Sequence, residues 1–540
     1  MRRWGALAVL GTAQFLMVLD QAVMNVSISQ LVADFDTTVT TIQIVIAFYA
    51  LVMAGLMLIG GKLGDIWGRR RAFVVGLCIY AVGSGLTAVS WNIPTLMLGW
   101  SVLEGVGAAL VLPALVALVA STYEGKERAV AYGVLGGVAG AGIAVGPILG
   151  GWVTTELTWR LVFAGEVVVT IGILLSVGRI AATAPERGAR LDRMGGVLSA
   201  LGLGLIVFGV LQASNWGWLA PRDSPVEPFG FSLTPFVIGA GALVLAAFRA
   251  WERRVEERGG EPLLHFALFR VPTLRGGVAM LLAQNLVLMG IFFTVPLFLQ
   301  IVQGLDAFET GVRMLPASVG LFFAAMAGSA LARRFPARTL VRAGLLVVLL
   351  ATGMLLGTIE PELDNGAFLA AMGVLGVGMG LIVSQLGNVV QSSVSDQQRS
   401  EAGGLQNTAQ QLGSSLGTAL LGAIVISGLL ASFSGNVADE PQLSQAAKDQ
   451  VEVRLSAGGS FVAADAVRAS AEEADLAPTE VDAIVANYED AQISSLKIAF
   501  LLAGFLVIAS FWATRRLPTR RFDELDEREA VDPTAPTQAS

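Results

Sequence analysis

Long apolar segments separated by short polar ones fill almost the whole chain. Fourteen of them hold about 20 mainly apolar residues, the length that an α-helix needs to cross a bilayer. The pattern therefore predicts an all-α polytopic membrane protein. The predicted helices, numbered 1 to 14, are Trp4–Ile28, Thr41–Gly61, Ala72–Val89, Pro94–Ser121, Ala129–Thr154, Trp159–Ile180, Met194–Ala213, Leu233–Trp251, Leu274–Ile301, Gly311–Ala332, Leu340–Ile359, Ala367–Val390, Gly403–Ala431 and Leu496–Trp512.

The composition agrees with a chain that lies mostly in lipid. Charged residues make up 14% of its 540 residues, against about 25% in soluble proteins. The net charge of −7 comes from loops and tail, and we expect no nucleic-acid partner. The single Cys78 excludes an intramolecular disulfide, and the single His265 argues against a histidine-based metal site or catalytic triad. We expect no metal, no cofactor and no enzymatic activity.

Lysine and arginine set the expected orientation. With the N-terminus inside, 28 of the 35 basic residues fall on the inner side. The start, MRRWGALAVLGTAQFLMVLD, has no small-residue cleavage site, so we expect a retained first helix rather than a signal peptide. The sequence thus predicts a multi-pass protein of the plasma (inner) membrane with both termini in the cytoplasm.

The fourteen helices divide into six, two and six. The predicted domains are an N-terminal six-helix bundle at 1–185, two linker helices with an interfacial segment at 186–273, a C-terminal six-helix bundle at 274–517, and a disordered cytoplasmic tail at 518–540. The interfacial segment, Glu261–Thr273, is short and amphipathic, and we interpret its His265 as an interfacial side chain rather than a ligand. The outer loop 432–494 carries twelve acidic and three basic residues. A helical hairpin and a mobile flap both fit it.

Three acidic residues lie inside predicted membrane helices, where a charge costs roughly 2.5–3.5 kcal/mol on insertion scales. Asp20 lies ~24 Å along helix 1 from Trp4. Glu104 lies near the middle of helix 4, and Glu166 lies about 10 Å into helix 6. Such carboxyls can change between charged and neutral forms, as proton coupling requires. The alternative is a permanently protonated carboxyl that is hydrogen-bonded to a neighbouring helix.

Uncharged amides inside the helices form a second polar set. Single amides often join membrane helices by hydrogen bonds, whereas several together could line a wet cavity. The cavity candidates are Asn25, Gln284, Asn285, Gln385, Asn388, Gln406, Asn407 and Gln410.

Helix 5 contains the glycine-rich stretch Gly133–Gly151. Gly142, Gly146 and Gly150 recur every four residues, so they share one helical face on which two backbones can approach closely. Pro147 removes a backbone donor and predicts a bend. The stretch is either ordinary packing or a pivot.

The loop after helix 2, Gly61–Ala72, combines glycines, an acid and consecutive arginines. Asp65 lies at the C-terminal end of the helix, where the dipole disfavours an anion, so it needs a partner among Arg69–Arg71 or at a helix N-terminus. A contact that forms in one conformation and breaks in another would latch a gate; a plain positive-inside turn is the alternative. A weaker copy follows helix 10 at Ala330–Arg338 and hints at an internal repeat.

These segments resemble motifs of the major facilitator superfamily, and specifically of its fourteen-helix drug:proton antiporters. The signature loop of the superfamily is similar to GKLGDIWGRRR, with matching positions Gly61, Asp65, Gly68, Arg69, Arg70 and Arg71. The antiporter motif of drug exporters is similar to Gly142, Gly146, Pro147, Gly150 and Gly151. Further similarity lies at Leu19–Val26, Trp159–Phe163 and Gln406–Gly413.

The chain departs from this family pattern at several polar positions. Ser101 stands where the fourth-helix motif has an arginine, and Glu104 stands where it has a glutamine. Glu166 and Val168 stand where the family usually has asparagine and proline, and Gln410 replaces a common arginine. A proton-relay arginine of the family is thus missing, and two acids are gained.

The resemblance implies export of amphiphilic or hydrophobic compounds, driven by protons through alternating access. On this interpretation Asp20, Glu104 and Glu166 carry protons or cations, Asp65 and its arginines latch the inner gate, and helix 5 bends or slides against the opposite bundle. A substrate cavity is expected near the midplane. The expected partners are a small amphiphilic substrate, protons and the lipid bilayer, and the expected state is a monomer. Export of an endogenous lipid or secondary metabolite is the alternative; a membrane-embedded enzyme or sensor is a remote one.

Overall fold

The computed structural model describes residues 2–123, 125–181, 185, 190–222, 224–361, 363–394, 398–456, 461–474 and 476–520. Every regular element in this part of the chain is a helix. Fourteen helices are long and apolar enough to cross a membrane, which confirms the predicted fold class. The predicted tail falls mostly on 521–540, outside the described residues.

The fourteen helices keep the numbering of the sequence. They are α1 Trp4–Val26, α2 Val39–Trp67, α3 Arg69–Ala88, α4 Ile93–Thr122, α5 Val134–Glu156, α6 Arg160–Arg179, α7 Arg193–Trp216, α8 Thr234–Glu257, α9 Pro272–Val302, α10 Ala307–Leu331, α11 Ala337–Thr358, α12 Asn365–Ser392, α13 Glu401–Asp439 and α14 Pro478–Arg516. We call α1–α6 the N half and α9–α14 the C half. The inner end is the end with both termini, after the predicted orientation.

The last two helices continue beyond the length that lipid requires. The α13 helix reaches Asp439, and α14 begins at Pro478, 18 residues before the predicted Leu496 (496 − 478). The predicted start of helix 14 was therefore wrong. The first turns of α14 are polar, so a search for apolar segments does not register them.

The described residues of 432–494 form a helical outer extension rather than an unstructured flap. Two short helices, Gln445–Ser456 and Ala464–Glu472, pack on the projecting ends of α13 and α14. Phe433 and Tyr488 meet edge to face with ring centroids 5.2 Å apart. The Val462 carbonyl accepts hydrogen bonds from Gln492 Nε2 at 2.7 Å and from the Tyr488 hydroxyl at 3.2 Å. Phe433 and Tyr488 belong to the continuous hydrophobic core of the protein, whereas Ala471, Val481 and Val485 form a small separate cluster within the extension.

The linker helix α7 covers the seam between the two halves. Leu51 on α2, Val207 on α7 and Ala419 on α13 are buried in one apolar cluster. A Cβ added to Gly55 would lie 3.4 Å from the Cβ of Ala200, so α2 and α7 are in van der Waals contact. The inserted pair of helices is thereby fixed to both halves through its first member.

A buried glutamine at the outer end of α9 holds the halves together. The last turns of α9, Phe298–Val302, are π-helical. From this turn Gln300 Oε1 accepts hydrogen bonds from the Ser29 amide at 3.1 Å and hydroxyl at 2.6 Å, and Gln300 Nε2 donates to the Val26 carbonyl at 2.8 Å. One side chain thus makes three bonds to the segment that follows α1.

Other hydrogen bonds between the halves run from the outer ends towards mid-membrane. Gln43 Nε2 on α2 donates to the carbonyls of Thr418 and Ala419 on α13, both at 3.0 Å. On the opposite side, the Phe308 amide donates to Thr155 Oγ1 at 3.2 Å. In the described structure the outer ends of the two halves are therefore joined by hydrogen bonds on both sides.

We expect Gln300→Ala to favour opening of the outer side, because it removes three bonds worth about 1 kcal/mol each. Pulsed electron resonance between spin labels at Trp91→Cys and Pro361→Cys, in a Cys78→Ser background, measures the outer separation. The matched control is Gln30→Ala, because the Gln30 amide donates to Asp34 within the N half and contacts neither labelled position among the described residues. Identical distance distributions for Gln300→Ala and the parent protein would contradict the expectation.

Candidate functional site

The structure brings the three membrane acids together inside the N half. Asp20 on α1, Glu104 on α4 and Glu166 on α6 each place a carboxylate oxygen within 4.8 Å of the others. Their exposed fractions are 0%, 0% and 2%. We call this group the carboxylate cluster. Its three members are far apart in the sequence, yet they lie close together between three neighbouring helices.

Asp20 is held by an indole that sequence reasoning missed. Trp100 Nε1 donates to Asp20 Oδ1 at 2.7 Å. The Trp100 ring stacks on Tyr49 with centroids 4.5 Å apart and planes 7° apart, which fixes the orientation of the indole. The second oxygen of Asp20, Oδ2, is buried and has no hydrogen-bond partner among the described residues.

The two glutamates receive their hydrogen bonds from one face of α3. Thr87 Oγ1 donates to Glu104 Oε1 at 3.0 Å, and the hydroxyls of Tyr80 and Ser84 both donate to Glu166 Oε2 at 3.1 Å. Positions 80, 84 and 87 share a helical face. This spacing was readable in the sequence as a polar stripe in an apolar helix, and it is the signal that could have located the donors.

A π-helical segment in α4 presents the cluster's residues. Met97–Glu104 is π-helical and carries both Trp100 and Glu104; such segments are rare and frequent at functional sites. Close contact with α3 depends on Gly83, because a Cβ there would lie 2.7 Å from Glu104 Cγ and 2.8 Å from the Gly99 carbonyl. The backbone geometry and the glycine together bring α4 against the α3 donors.

Each carboxylate in the cluster therefore has one satisfied and one unpartnered oxygen. The unpartnered atoms are Asp20 Oδ2, Glu104 Oε2 and Glu166 Oε1. They can accept a proton or contact a cation. Among the described residues this is the one group of three acidic, histidine or cysteine side chains spaced for a metal ion, and its all-oxygen donors would suit a hard cation. The expected absence of a metal stays a prediction.

The predicted gate loop is a break between α2 and α3. Gly68 has φ of 87°, a backbone conformation that favours glycine, and it ends α2 and starts α3. Across it, Arg69 Nη2 lies 3.6 Å from Asp65 Oδ1, and Arg69 Nη1 donates to the Ala117 carbonyl on α4 at 3.3 Å. Gly61 on α2 faces Pro113, which also lies on α4. The role of Gly61, Asp65, Gly68 and Arg69–Arg71 as a latch stays a prediction.

A short segment on the inner side connects the two halves. Lys62 Nζ on α2 lies 2.6 Å from Glu261 Oε2, and this hydrogen bond holds the pKa of Glu261 below its usual value. Four residues later His265 Nδ1 lies 3.1 Å from Glu401 Oε2 at the start of α13. We call Glu261–His265 the inner strap.

The Trp-Arg pair at the start of α6 fastens that helix to the short helix Ile28–Asp34, which follows α1. Trp159 Nε1 and Arg160 Nη1 each donate to Asp34 Oδ2 at 2.8 Å. Partial burial opposes ionisation of Asp34, but hydrogen bonds from Gln30, Trp159 and Arg160 outweigh it and keep its pKa below the usual value. This ion pair stabilises the outer end of the N half.

The glycine face of α5 packs against α1, in its own half. A Cβ on Gly142 would lie 3.0 Å from Val18, and one on Gly150 would lie 2.8 Å from Val23. A Cβ on Gly146 would likewise collide with the side chain of Ala22. Glycine periodicity thus identifies a shared face but not its neighbour, and the bending or sliding of helix 5 against the opposite bundle stays a prediction.

Other residues of the same motif do face the C half. A Cβ on Gly151 would collide with the Ala307 carbonyl on α10, and one on Gly311 would collide with the Pro147 carbonyl. The α5 helix stays continuous through Pro147. It thus has two faces, one on the α1 segment around Asp20 and one on α10.

The amide set is not assembled into one site with the carboxylates. Among the described residues, no hydrogen bond joins an amide of this set to the cluster. Asn25 and Asn285 bond to carbonyls of their own helices. Gln385 Nε2 donates to the Gly328 carbonyl at 3.0 Å and so joins α12 to α10, while Gln406 Oε1 is buried without a partner. The remaining amides, Gln284, Asn388, Asn407 and Gln410, and the midplane cavity stay predictions.

Comparison with known proteins gives consistent matches over most of the chain. The Major Facilitator Superfamily model matches residues 10–418. The chain is 33% identical over 443 residues to a probable actinorhodin transporter of Streptomyces coelicolor, covering 80% of this chain and 74% of that protein. It is 26% identical over 508 residues to multidrug resistance protein Stp of Mycobacterium tuberculosis, covering 93% and 90%.

A solved structure shares the fold. It is a bacterial homologue of the human lysosomal transporter Spinster, in an inward-facing and unoccupied conformation. The TM-score is 0.60 at 15% identity, and the match covers 96% of this chain and 98% of that one.

We expect Gly83→Ala to lower the thermal stability of the purified protein, because the added methyl group would press on Glu104 and the α4 backbone. Overpacking of this kind costs about 1–3 kcal/mol, and the melting temperature of the detergent-purified protein measures it. Gly85→Ala is the matched control, since a Cβ there would lie at an ordinary 3.8 Å from Val167. Equal melting temperatures for the two variants would contradict the close α3–α4 contact.

Proposed function

Because the chain belongs to the major facilitator superfamily, we propose that it exports amphiphilic or hydrophobic small molecules in exchange for protons. Membership makes it a multi-pass membrane transporter rather than an enzyme. Its relatives support export in particular, since they are named as an antibiotic transporter and a multidrug resistance protein.

The observation that carries the proton proposal is the carboxylate cluster. Three acidic groups lie within 4.8 Å of one another in an apolar half-bundle, and each leaves one buried oxygen unpartnered. Like charges so close in a low-dielectric medium repel strongly. The uptake of a proton relieves that repulsion, and its release restores it, so the cluster can bind and release protons as its surroundings change.

The α5 helix supplies a path from the cluster to the interface between the halves. Its glycines contact Val18, Ala22 and Val23, which flank Asp20 on α1. Its other face meets α10 at Gly151 and Pro147. A movement of α10 relative to α5 would displace α1, and with it the Asp20 carboxylate. We infer that proton binding and the change of access are coupled through this helix.

The described state fits one step of such a cycle. The outer side is closed by bonds such as those of Gln300, and the cluster is buried. Proton exchange with the outside then requires a second conformation in which those bonds are broken. Alternating access supplies that second conformation.

We further propose that the protein lies in the plasma membrane with both termini in the cytoplasm and acts as a monomer. The charge distribution supports this orientation, since 28 of 35 basic residues then lie inside. The three acids and their hydrogen-bond donors all come from helices of one N half, so no second copy is needed to complete the carboxylate cluster.

Export of a compound made by the producing cell is the second candidate. The similarity to a probable actinorhodin transporter favours it. Competition separates the candidates: a self-made metabolite or lipid that blocks dye efflux at lower concentration than unrelated drugs would identify the natural substrate class.

The direct test is efflux of ethidium from proteoliposomes under an imposed pH gradient. We expect Asp20→Asn, Glu104→Gln and Glu166→Gln each to lower gradient-driven flux by about tenfold or more, equivalent to ~1.4 kcal/mol. The expected loss arises because an amide cannot take up and release the coupling proton. Asp482→Asn is the control, since it removes an exposed carboxylate of the outer extension that pairs with Arg468.

Full gradient-driven flux in all three cluster variants would refute the coupling assignment. A sodium gradient at equal pH, with chelator present, separates protons from other cations. Flux driven by a sodium gradient alone would show that sodium, and not the proton, is the coupling ion. Flux that follows only the pH gradient would support the proposal.

A further inference from the structure

A basic cleft lies at the inner end of the linker helix α8, away from the carboxylate cluster. It has a volume of about 400 Å³ and lies between α8 and the short interfacial helix Phe266–Arg270. Its lining consists of Arg249, Arg253, Phe266, Phe269, Arg270 and Arg275. The cleft is therefore walled by four guanidinium groups and two aromatic rings.

The walls of this cleft are fixed by a buried acid and by aromatic packing. Glu252 Oε2 accepts hydrogen bonds from the amides of Leu263 at 2.8 Å and Leu264 at 3.4 Å, which attach the interfacial segment to α8. Phe248 and Phe266 meet edge to face with centroids 5.7 Å apart. Phe266 and Phe269 stack at the same centroid distance. The cleft is thus built into the fold and does not depend on a flexible loop.

Among the residues that the structure describes, the four arginines have no protein partner. Arg249 and Arg253 are one turn apart on α8 and share a face, while Arg270 and Arg275 come from the opposite wall. In the part of the chain that the structure describes, none of their side chains forms an ion pair or a hydrogen bond. An adjoining cleft shares Arg253, Phe266 and Arg270 and adds Glu256 and Glu257, so arginines still outnumber acids by four to two.

The cleft lies where a membrane helix leaves the lipid. Leu243, in the apolar part of α8, is 73% exposed, as expected of a side chain that faces acyl chains. Arg249 and Arg253 follow in the last turns of the helix, at the level of lipid headgroups, where arginine side chains extend towards the polar layer. Only a ligand with both an anionic group and a hydrocarbon part would satisfy all of these surfaces.

We propose that this cleft binds an anionic phospholipid of the surrounding leaflet. The lipid phosphate is held between the guanidinium groups, which suit phosphate oxygens through paired N–H donors. The acyl chains lie along the apolar face of α8 and against the two phenylalanine rings. Basic pockets beside membrane helices recognise lipid headgroups in this way. The site is independent of what the protein transports and of how transport is driven.

Native mass spectrometry of the detergent-purified full chain tests this site. The probes are phosphatidylglycerol, phosphatidylethanolamine, phosphatidylcholine and inorganic phosphate, each added alone and in competition. We expect retained phosphatidylglycerol on the parent protein and a loss of affinity of roughly tenfold or more in the double variant Arg253→Gln/Arg270→Gln. The single variants should each show a smaller loss, which covers the case in which the double variant does not purify.

The matched control is Arg254→Gln/Arg258→Gln, which removes the same charge from the same end of α8 outside the cleft lining. Retention of phosphatidylglycerol by this control supports the site. Equal losses in both double variants, or no loss in Arg253→Gln/Arg270→Gln, would overturn it. Preference for phosphatidylethanolamine over phosphatidylglycerol would overturn the anionic assignment, and displacement by equimolar inorganic phosphate would show that the ligand is not a lipid.

Discussion

The cost of placing carboxylates in an apolar half-bundle constrains the whole N half. Asp20, Glu104 and Glu166 come from three helices, and each is buried and needs a hydrogen-bond donor. The fold meets this need with an indole on α4 and three hydroxyls on α3. These donors reach the acids because α4 is π-helical there and because glycines let α3 and α4 approach. One oxygen of each carboxylate has no hydrogen-bond partner among the described residues, and the proton exchange that we propose rests on this incomplete satisfaction.

The two halves meet through elements that also contact this buried group. Because α5 packs on α1 with its small residues and on α10 with its other face, it belongs to both the core of the N half and the interface. On the opposite side α2 takes the corresponding place, with Gln43 bonded to α13 and α7 packed over the seam. A rigid-body movement of one half would therefore act on the acids through packed backbones rather than through flexible side chains.

Hydropathy was sufficient to predict fourteen membrane helices, because lipid imposes a minimum apolar length on each. It failed at the outer end of helix 14, where Pro478–Ser495 is polar and helical at once. The three acids could be identified singly, but their meeting depends on how α1, α4 and α6 are rotated about their axes. No periodicity in the sequence encodes that rotation. The stripe Tyr80, Ser84 and Thr87 was a readable clue to the site, whereas Trp100 gave no sign beyond its place in an apolar helix.

The inner strap limits how far the inner ends of the two halves can separate. Glu261 and His265 are four residues apart, yet one is bound to Lys62 in the N half and the other to Glu401 in the C half. Four extended residues reach at most about 14 Å. While both contacts are made, the inner ends of α2 and α13 cannot separate beyond that length plus the reach of the four side chains that form the contacts. The separation of the inner ends is thus limited by a length of backbone, and a larger separation requires one of the two contacts to break first.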